Sequence, residues 1–195
     1  MTEEIIIKEL YRFFGNYDYR LSNVFIYAWE SDFFCVSTSG YAIEVEVKIS
    51  KSDFKADFKK VDKHRYLNEI ENNHDIFITG FRPNRFYYAC PEDMITVDEV
   101  PEYAGLLYFR SKPPACEDKI KEVKTSKFIH KEKHDLSKRL LDKYYYKSID
   151  QAHDIRLLKE WFDEINKHFK YNDPYGRKLK TRIIEDRPFY QPELF

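Results

Sequence analysis

Between Ile43 and Ile49, in the segment that begins at Tyr41, the chain alternates apolar and charged residues without a break: Ile43, Val45, Val47 and Ile49 interleave with Glu44, Glu46 and Lys48. Side chains on a strand leave by opposite faces with a period of two, so one face of this segment is apolar and the other carries charge. No other stretch constrains the fold as tightly. Ser37-Thr38-Ser39-Gly40 supply turn chemistry just before it, and Phe33 to Val36 reads as the strand that hairpins into it. Asn23 to Trp29, rich in β-branched and aromatic residues, reads as a buried strand earlier still.

The remaining elements follow from spacing and punctuation. Ile6, Leu10, Phe13 and Phe14 recur at helical intervals before Gly15-Asn16, which predicts a first helix over residues 3–14. Ser50 or Ser52 can cap a helix running to about Val61, with Asp53 near its positive end. Tyr66 to Ile70 can extend it, and Asp75 to Thr79 can form a short strand. After the turn at Arg82-Pro83-Asn84, strands are expected at Arg85–Cys90 and Ala104–Phe109. Beyond Pro113-Pro114 two helical stripes appear: Leu136, Leu140, Leu141, Tyr144 and Tyr145, then Ile155, Leu158, Trp161, Phe162, Ile165 and Phe169, joined near Ser148-Ile149-Asp150. The expected architecture is α/β: a core over residues 1–112, made of a helix, a three-stranded hairpin sheet, a helix and two further strands. Residues 113–195 form a C-terminal helical appendage packed on it, against itself or against a second subunit.

Composition removes several classes of function. With 33 Lys+Arg against 34 Asp+Glu among 195 residues, the net charge of -1 does not suit a globally basic nucleic-acid coat protein. Sixteen Tyr, sixteen Phe and two Trp supply far more bulky apolar surface than a disordered chain carries. Cys35, Cys90 and Cys116 are odd in number and far apart, which argues against a disulfide framework or a zinc ribbon and for a reducing compartment. No run of about 18 apolar residues is present, and Met-Thr-Glu-Glu lacks the basic start of a signal peptide. A soluble, cytoplasmic protein without a membrane partner is expected.

The chemistry concentrates on the charged face of the Tyr41–Ile49 strand. Glu46 and Lys48 share that face. A carboxylate there can bind a hard divalent cation, while an ammonium beside it can orient a water and neutralise charge developing on a phosphate. Asp32 opens the strand that hairpins back, so both acids can meet at one end of the antiparallel pair. Mg²⁺ takes one or two protein carboxylates and completes its octahedron with water and phosphate oxygens. The same alternation also serves as a solvated strand face carrying cross-strand ion pairs.

An Asp before a strand, a hairpin, Glu-x-Lys and then a helix resembles the PD-(D/E)xK nuclease superfamily. Within it, the run Glu46-Val47-Lys48-Ile49-Ser50-Lys51-Ser52-Asp53-Phe54-Lys55-Ala56-Asp57-Phe58-Lys59-Lys60 is similar to the signature of the MmcB-like DNA-repair family. Arg85-Phe86-Tyr87-Tyr88-Ala89-Cys90-Pro91 and Gly105-Leu106-Leu107 are similar to that family's two later strands, so the resemblance spans roughly residues 1–110. It implies a restriction-endonuclease-like core and a Mg²⁺- or Mn²⁺-dependent deoxyribonuclease. Asp32 and Glu46, with the carbonyl of Val47, would ligate the metal, and Lys48 would be the catalytic lysine. The implied polymer is DNA, in repair or processing, with RNA left open.

On the helix after the strand, Asp53, Asp57, Lys60 and His64 fall at i, i+4, i+7 and i+11, beside Phe54, Phe58 and Val61. Lys51, Lys55, Lys59, Lys60, Lys63 and Arg65 make the region locally basic, as a phosphate backbone requires. Ser50, Lys51, Asp53, Lys60 and His64 are the candidates to contact nucleic acid. Tyr144-Tyr145-Tyr146 and Trp161 can stack bases or fill a core. The rival expectation is a module on a nuclease-derived fold that binds nucleic acid or protein without turnover.

Overall fold

The structure, a computed structural model, describes residues 2–68 and 82–172. The strand expected at Asp75–Thr79, the helical extension through Glu69-Ile70 and the side chains of Ile165 and Phe169 lie outside the described residues. Two compact units are present, Met1–Ser137 and Lys138–Phe195.

Six strands build the sheet of the first unit: β1 (Asp18–Val24), β2 (Ser31–Val36), β3 (Ala42–Val47), β4 (Arg85–Pro91), β5 (Ala104–Phe109) and β6 (Ile120–Lys124). They lie in sequence order across the sheet. The first three form an antiparallel meander, β3, β4 and β5 run parallel, and β6 returns antiparallel. Helix α1 (Glu3–Phe13) packs Ile6, Ile7 and Leu10 against Phe33, Val45 and Val47 on one face. Helices α2 (Lys51–Asp57) and α3 (Val61–Asn68) bring Phe54 and Leu67 to the other face, against Phe86, Tyr88 and Leu106. The mixed α/β class expected from the sequence is what forms.

Most expected elements appear, with instructive displacements. Gly40 turns the β2–β3 hairpin at φ +82°, a left-handed conformation open to glycine, and its N–H donates to the Ser37 carbonyl at 2.7 Å. Ser50 caps α2, its Oγ accepting from the Asp53 N–H at 3.1 Å. The strand expected over residues 23–29 instead ends at Val24. Ile26 and Tyr27 are buried outside any strand, so the apolar run there records burial rather than extended pairing.

The helix expected through Val61 breaks after Asp57, and Val61 restarts the chain as α3, 68% exposed. Strand β6 was not expected. Its Ile-Lys-Glu-Val-Lys has little apolar content because it closes the sheet as a charged edge. With it the sheet runs past residue 112, and the first unit ends only at Ser137. The two expected stripes, apart from Leu136, belong to one continuous helix, α4 (Ser137–Asn172). Among the described residues no helix is long and apolar enough to cross a membrane.

Candidate active site

Strand β3 is buried along its whole length, so the alternation at 43–48 does not describe a solvated face. Glu44 is 0%, Glu46 2% and Lys48 5% exposed. The period of two sends all three toward α2 and α3, and charge this deep demands partners. Lys48 Nζ lies 2.9 Å from Glu46 Oε1, the pairing expected from the sequence.

The other partners come from the helices. Lys63 of α3 places Nζ 2.6 Å from Glu46 Oε2 and 3.4 Å from Glu44 Oε1. Lys60, half-exposed, bridges Glu46 Oε1 and Asp57 Oδ1, each at 3.1 Å. Glu44 also accepts from Trp29 Nε1 at 2.7 Å. Asp57, at the end of α2, accepts from the Tyr88 hydroxyl at 2.8 Å and stands 3.5 Å from Lys48 Nζ. His64 puts Nε2 3.2 Å from Asp57 Oδ2, while its Nδ1 bonds the Tyr103 hydroxyl. The break between α2 and α3 makes this convergence possible, since Phe58 then stacks on the His64 ring.

Asp32 completes the constellation from β2. The register pairs Phe33 with Val45, so Asp32 follows opposite Glu46 on the shared face. Its Oδ2 accepts from the Val47 N–H at 2.7 Å. Burial, reinforced by the Glu46 charge, pushes the Asp32 carboxyl up to about 7 against the pull of that bond. Glu3, at the start of α1, adds to the same repulsion and feels Lys48, Asp53 and Glu46 in turn.

Opposed effects set the protonation of the rest. Burial alone would lower Lys48, but Glu46, Asp57 and Asp53 outweigh it and hold the ammonium above its ordinary value. Lys48 is therefore a fixed charge rather than a base. Burial would raise Asp57, yet the His64 hydrogen bond and the charges of Lys63 and Lys48 hold it well below the carboxylate range. Glu44 is raised, chiefly by burial.

The sequence-derived candidates divide accordingly. Asp32, Glu46, Lys48, Lys60 and His64 belong to one cluster, and Asp53 sits at its rim with Oδ1 3.7 Å from Lys48 Nζ. The Ser50 hydroxyl is spent on the helix cap, and Lys51 points to Glu99 at 3.7 Å. Lys63 faces inward, so the basic run is not a uniform surface. Sequence reasoning gave no site role to Glu44, Tyr88, Tyr103, Trp29 or Glu3, and counted Lys63 only within the locally basic run. Only Glu44 carried a signal, as the third charge in the alternation.

Oxygen donors from Asp32 and Glu46 fit a hard divalent cation that takes two carboxylates and draws its other ligands from water and phosphate. The Asp32 carboxyl is raised first by burial and then by the neighbouring Glu46 charge, which a bound cation would offset. The site is not a closed cage. Among the described residues no group of three or more His, Cys, Asp or Glu is disposed to hold a metal, and both Glu46 oxygens are bonded to lysine.

No protein-family model matches the chain, and no curated protein matches it. Among solved structures it is similar to the SPO1766 protein of unknown function from Silicibacter pomeroyi, with a TM-score of 0.52 and 15% identity. The match covers 80% of this chain and 92% of that chain. At this identity the likeness establishes a shared fold and nothing about activity.

Proposed function

We propose that the protein is a metal-dependent nuclease that hydrolyses phosphodiester bonds in DNA, with a role in DNA repair or processing. The observation that carries this reading is a buried Lys48 ammonium 2.9 Å from Glu46, with Asp32 across the hairpin register. The order of a helix, three antiparallel strands, helical segments and then β4 and β5 follows the one implied by the resemblance to PD-(D/E)xK nucleases and supports it.

Asp32 and Glu46, with the Val47 carbonyl, would hold Mg²⁺ or Mn²⁺. The ion would polarise a phosphoryl oxygen and make bound water acidic. Lys48 keeps its proton, so it donates hydrogen bonds to the attacking water and offsets charge growing on the phosphate. Lys60 reaches the surface and can meet a backbone phosphate. Asp57, gripped by Tyr88, His64 and Lys48, holds the helices in register with the strand.

Cleavage of single- and double-stranded DNA and of RNA with Mg²⁺, Mn²⁺ or EDTA tests the proposal. We expect metal-dependent DNA cleavage, lowered about 10²–10³-fold by Lys48→Ala, the size of loss when one positioned charge-stabilising donor is removed. Undiminished cleavage by that variant would refute the assignment. A second reading, binding without turnover, is favoured by the saturation of Glu46 by three lysines. Nucleic-acid binding that survives EDTA, with no product from any polymer, would select it.

A further inference from the structure

The first unit contains a cavity of about 430 Å³ on the α1 face of the sheet, opposite the carboxylate–lysine cluster. That volume suits a small molecule. Tyr17 beyond α1, Tyr41 beyond the hairpin turn and Phe128 beyond β6 contribute aromatic rings to its lining. A polar row of Arg85, Tyr87 and Glu122 also lines it.

The row is built across three strands. A Cβ on Gly105 of β5 would come within 2.4 Å of two Tyr87 ring carbons, so the ring lies directly over that glycine. In this position the Tyr87 hydroxyl donates to Glu122 Oε1 on β6 at 2.9 Å. Burial and the Glu122 charge keep the hydroxyl protonated, pushed up to about 12. One Glu122 oxygen is therefore held at a fixed place, on an exposed residue of β6 that a ligand can reach. Arg85 is held as firmly: its guanidinium lies 4.1 Å from the Phe128 ring centre and donates to the Ser126 carbonyl at 2.7 Å.

A carboxylate and a guanidinium beside aromatic rings select a definite partner. Aromatic side chains stack on any nucleobase. Guanine alone offers N1–H and the exocyclic amine side by side, two donors for one carboxylate, and presents O6 and N7 as the acceptor pair that arginine reads. Adenine sets an acceptor beside its amine and would leave the carboxylate facing a lone pair. Lys133, its Nζ 4.7 Å from the Tyr41 ring centre, supplies positive charge near this wall for a phosphate.

We infer that this cavity binds guanine, as a free nucleotide or as an unpaired base of a single strand, with Glu122 and Arg85 reading the base edge and the aromatic residues stacking on it. The inference is independent of the hydrolase reading, because neither Asp32 nor Lys48 borders the cavity.

Calorimetric titration of the full chain with GMP and AMP tests it, together with oligothymidine strands that carry or lack one central guanosine. GMP is expected to bind at least about tenfold more tightly than AMP, or the guanosine strand at least about tenfold more tightly than its control. GMP binding without a strand preference identifies the free nucleotide as the source, and a strand preference identifies the polymer; either supports the inference. Glu122→Gln, which still accepts from Tyr87, is expected to weaken the guanine ligand at least about tenfold with the melting temperature preserved. Equal binding of GMP and AMP with no strand preference, no binding of any probe at millimolar concentration, or an unchanged affinity in Glu122→Gln would each overturn it.

Discussion

Lys63 is the residue on which the buried charge depends. Its ammonium lies between Glu44 and Glu46 and over the Phe86 ring, 5.0 Å from its centre, and it is 4% exposed. Burial would lower its pKa, but the two glutamates and Asp57 hold it above the ordinary value. Lys63→Met fills the space but takes the ammonium from Glu44 and one of three from Glu46, and is expected to cost about 3–5 kcal/mol, as when one member of a buried pair is removed. Urea denaturation measures this, and a loss below about 1 kcal/mol would contradict the pairing.

Asp32 sets a pH dependence of definite sign. Its folded pKa of about 7 lies above the ordinary 3.8, so the folded state binds the extra proton. The stability it contributes is full below about pH 4 and is lost as pH rises through about 7. Replacement by Asn, which can still accept from Val47, removes that titration. Wild-type stability is expected to fall relative to Asp32→Asn between those limits; parallel pH curves would refute the shift.

Among the elements, the β2–β3 hairpin was the most legible from sequence, because a turn, an alternating strand and an acid at hairpin distance are all local features. That locality groups Asp32, Glu46 and Lys48 on the sequence alone. Lys63, Tyr88 and Tyr103 were not legible. They reach the site only through a helix break after Asp57 and through strands far along the chain, and in sequence Lys63 looks like any member of a basic run. Residues 25–29 misled for another reason: hydrophobicity reports burial, and Ile26 and Tyr27 are buried in an irregular segment.

Strand β5 yields a prediction that depends on backbone approach. A methyl on Gly105 would sit 2.4 Å from Tyr87 ring carbons and 2.6 Å from the Ser126 nitrogen, which a rotamer change of Tyr87 alone cannot relieve. Gly105→Ala is expected to destabilise by about 1–3 kcal/mol, the range for overpacking. Thermal unfolding checks it, and an unchanged melting temperature would contradict the close approach.

For the whole molecule, the fold and the composition disagree about where the core ends. Pro113-Pro114 marks the shift in composition, yet β6 pairs with β5 beyond it. A chain ending at Ser137 is expected to unfold cooperatively, whereas one ending at Lys112 leaves the apolar β5 as an open edge and aggregates. Size-exclusion chromatography with urea unfolding separates the two; a well-behaved shorter chain would contradict the six-stranded core. Leu141, Tyr145, Tyr146 and Phe162 are all exposed on α4. Light scattering on the full chain and on the chain ending at Ser137 checks whether that helix joins two copies. A monomeric full chain would count against it.

Metal-dependent hydrolysis requires Asp32 and Glu46 to meet where a cation can join them. A crystal grown with Mn²⁺ and measured for anomalous scattering tests this directly. We expect a peak about 2.1 Å from oxygens of both residues, the bonding distance of a small hard cation, with the Lys60 ammonium moved off Glu46. No peak there, with the three lysines still on Glu46, would contradict it.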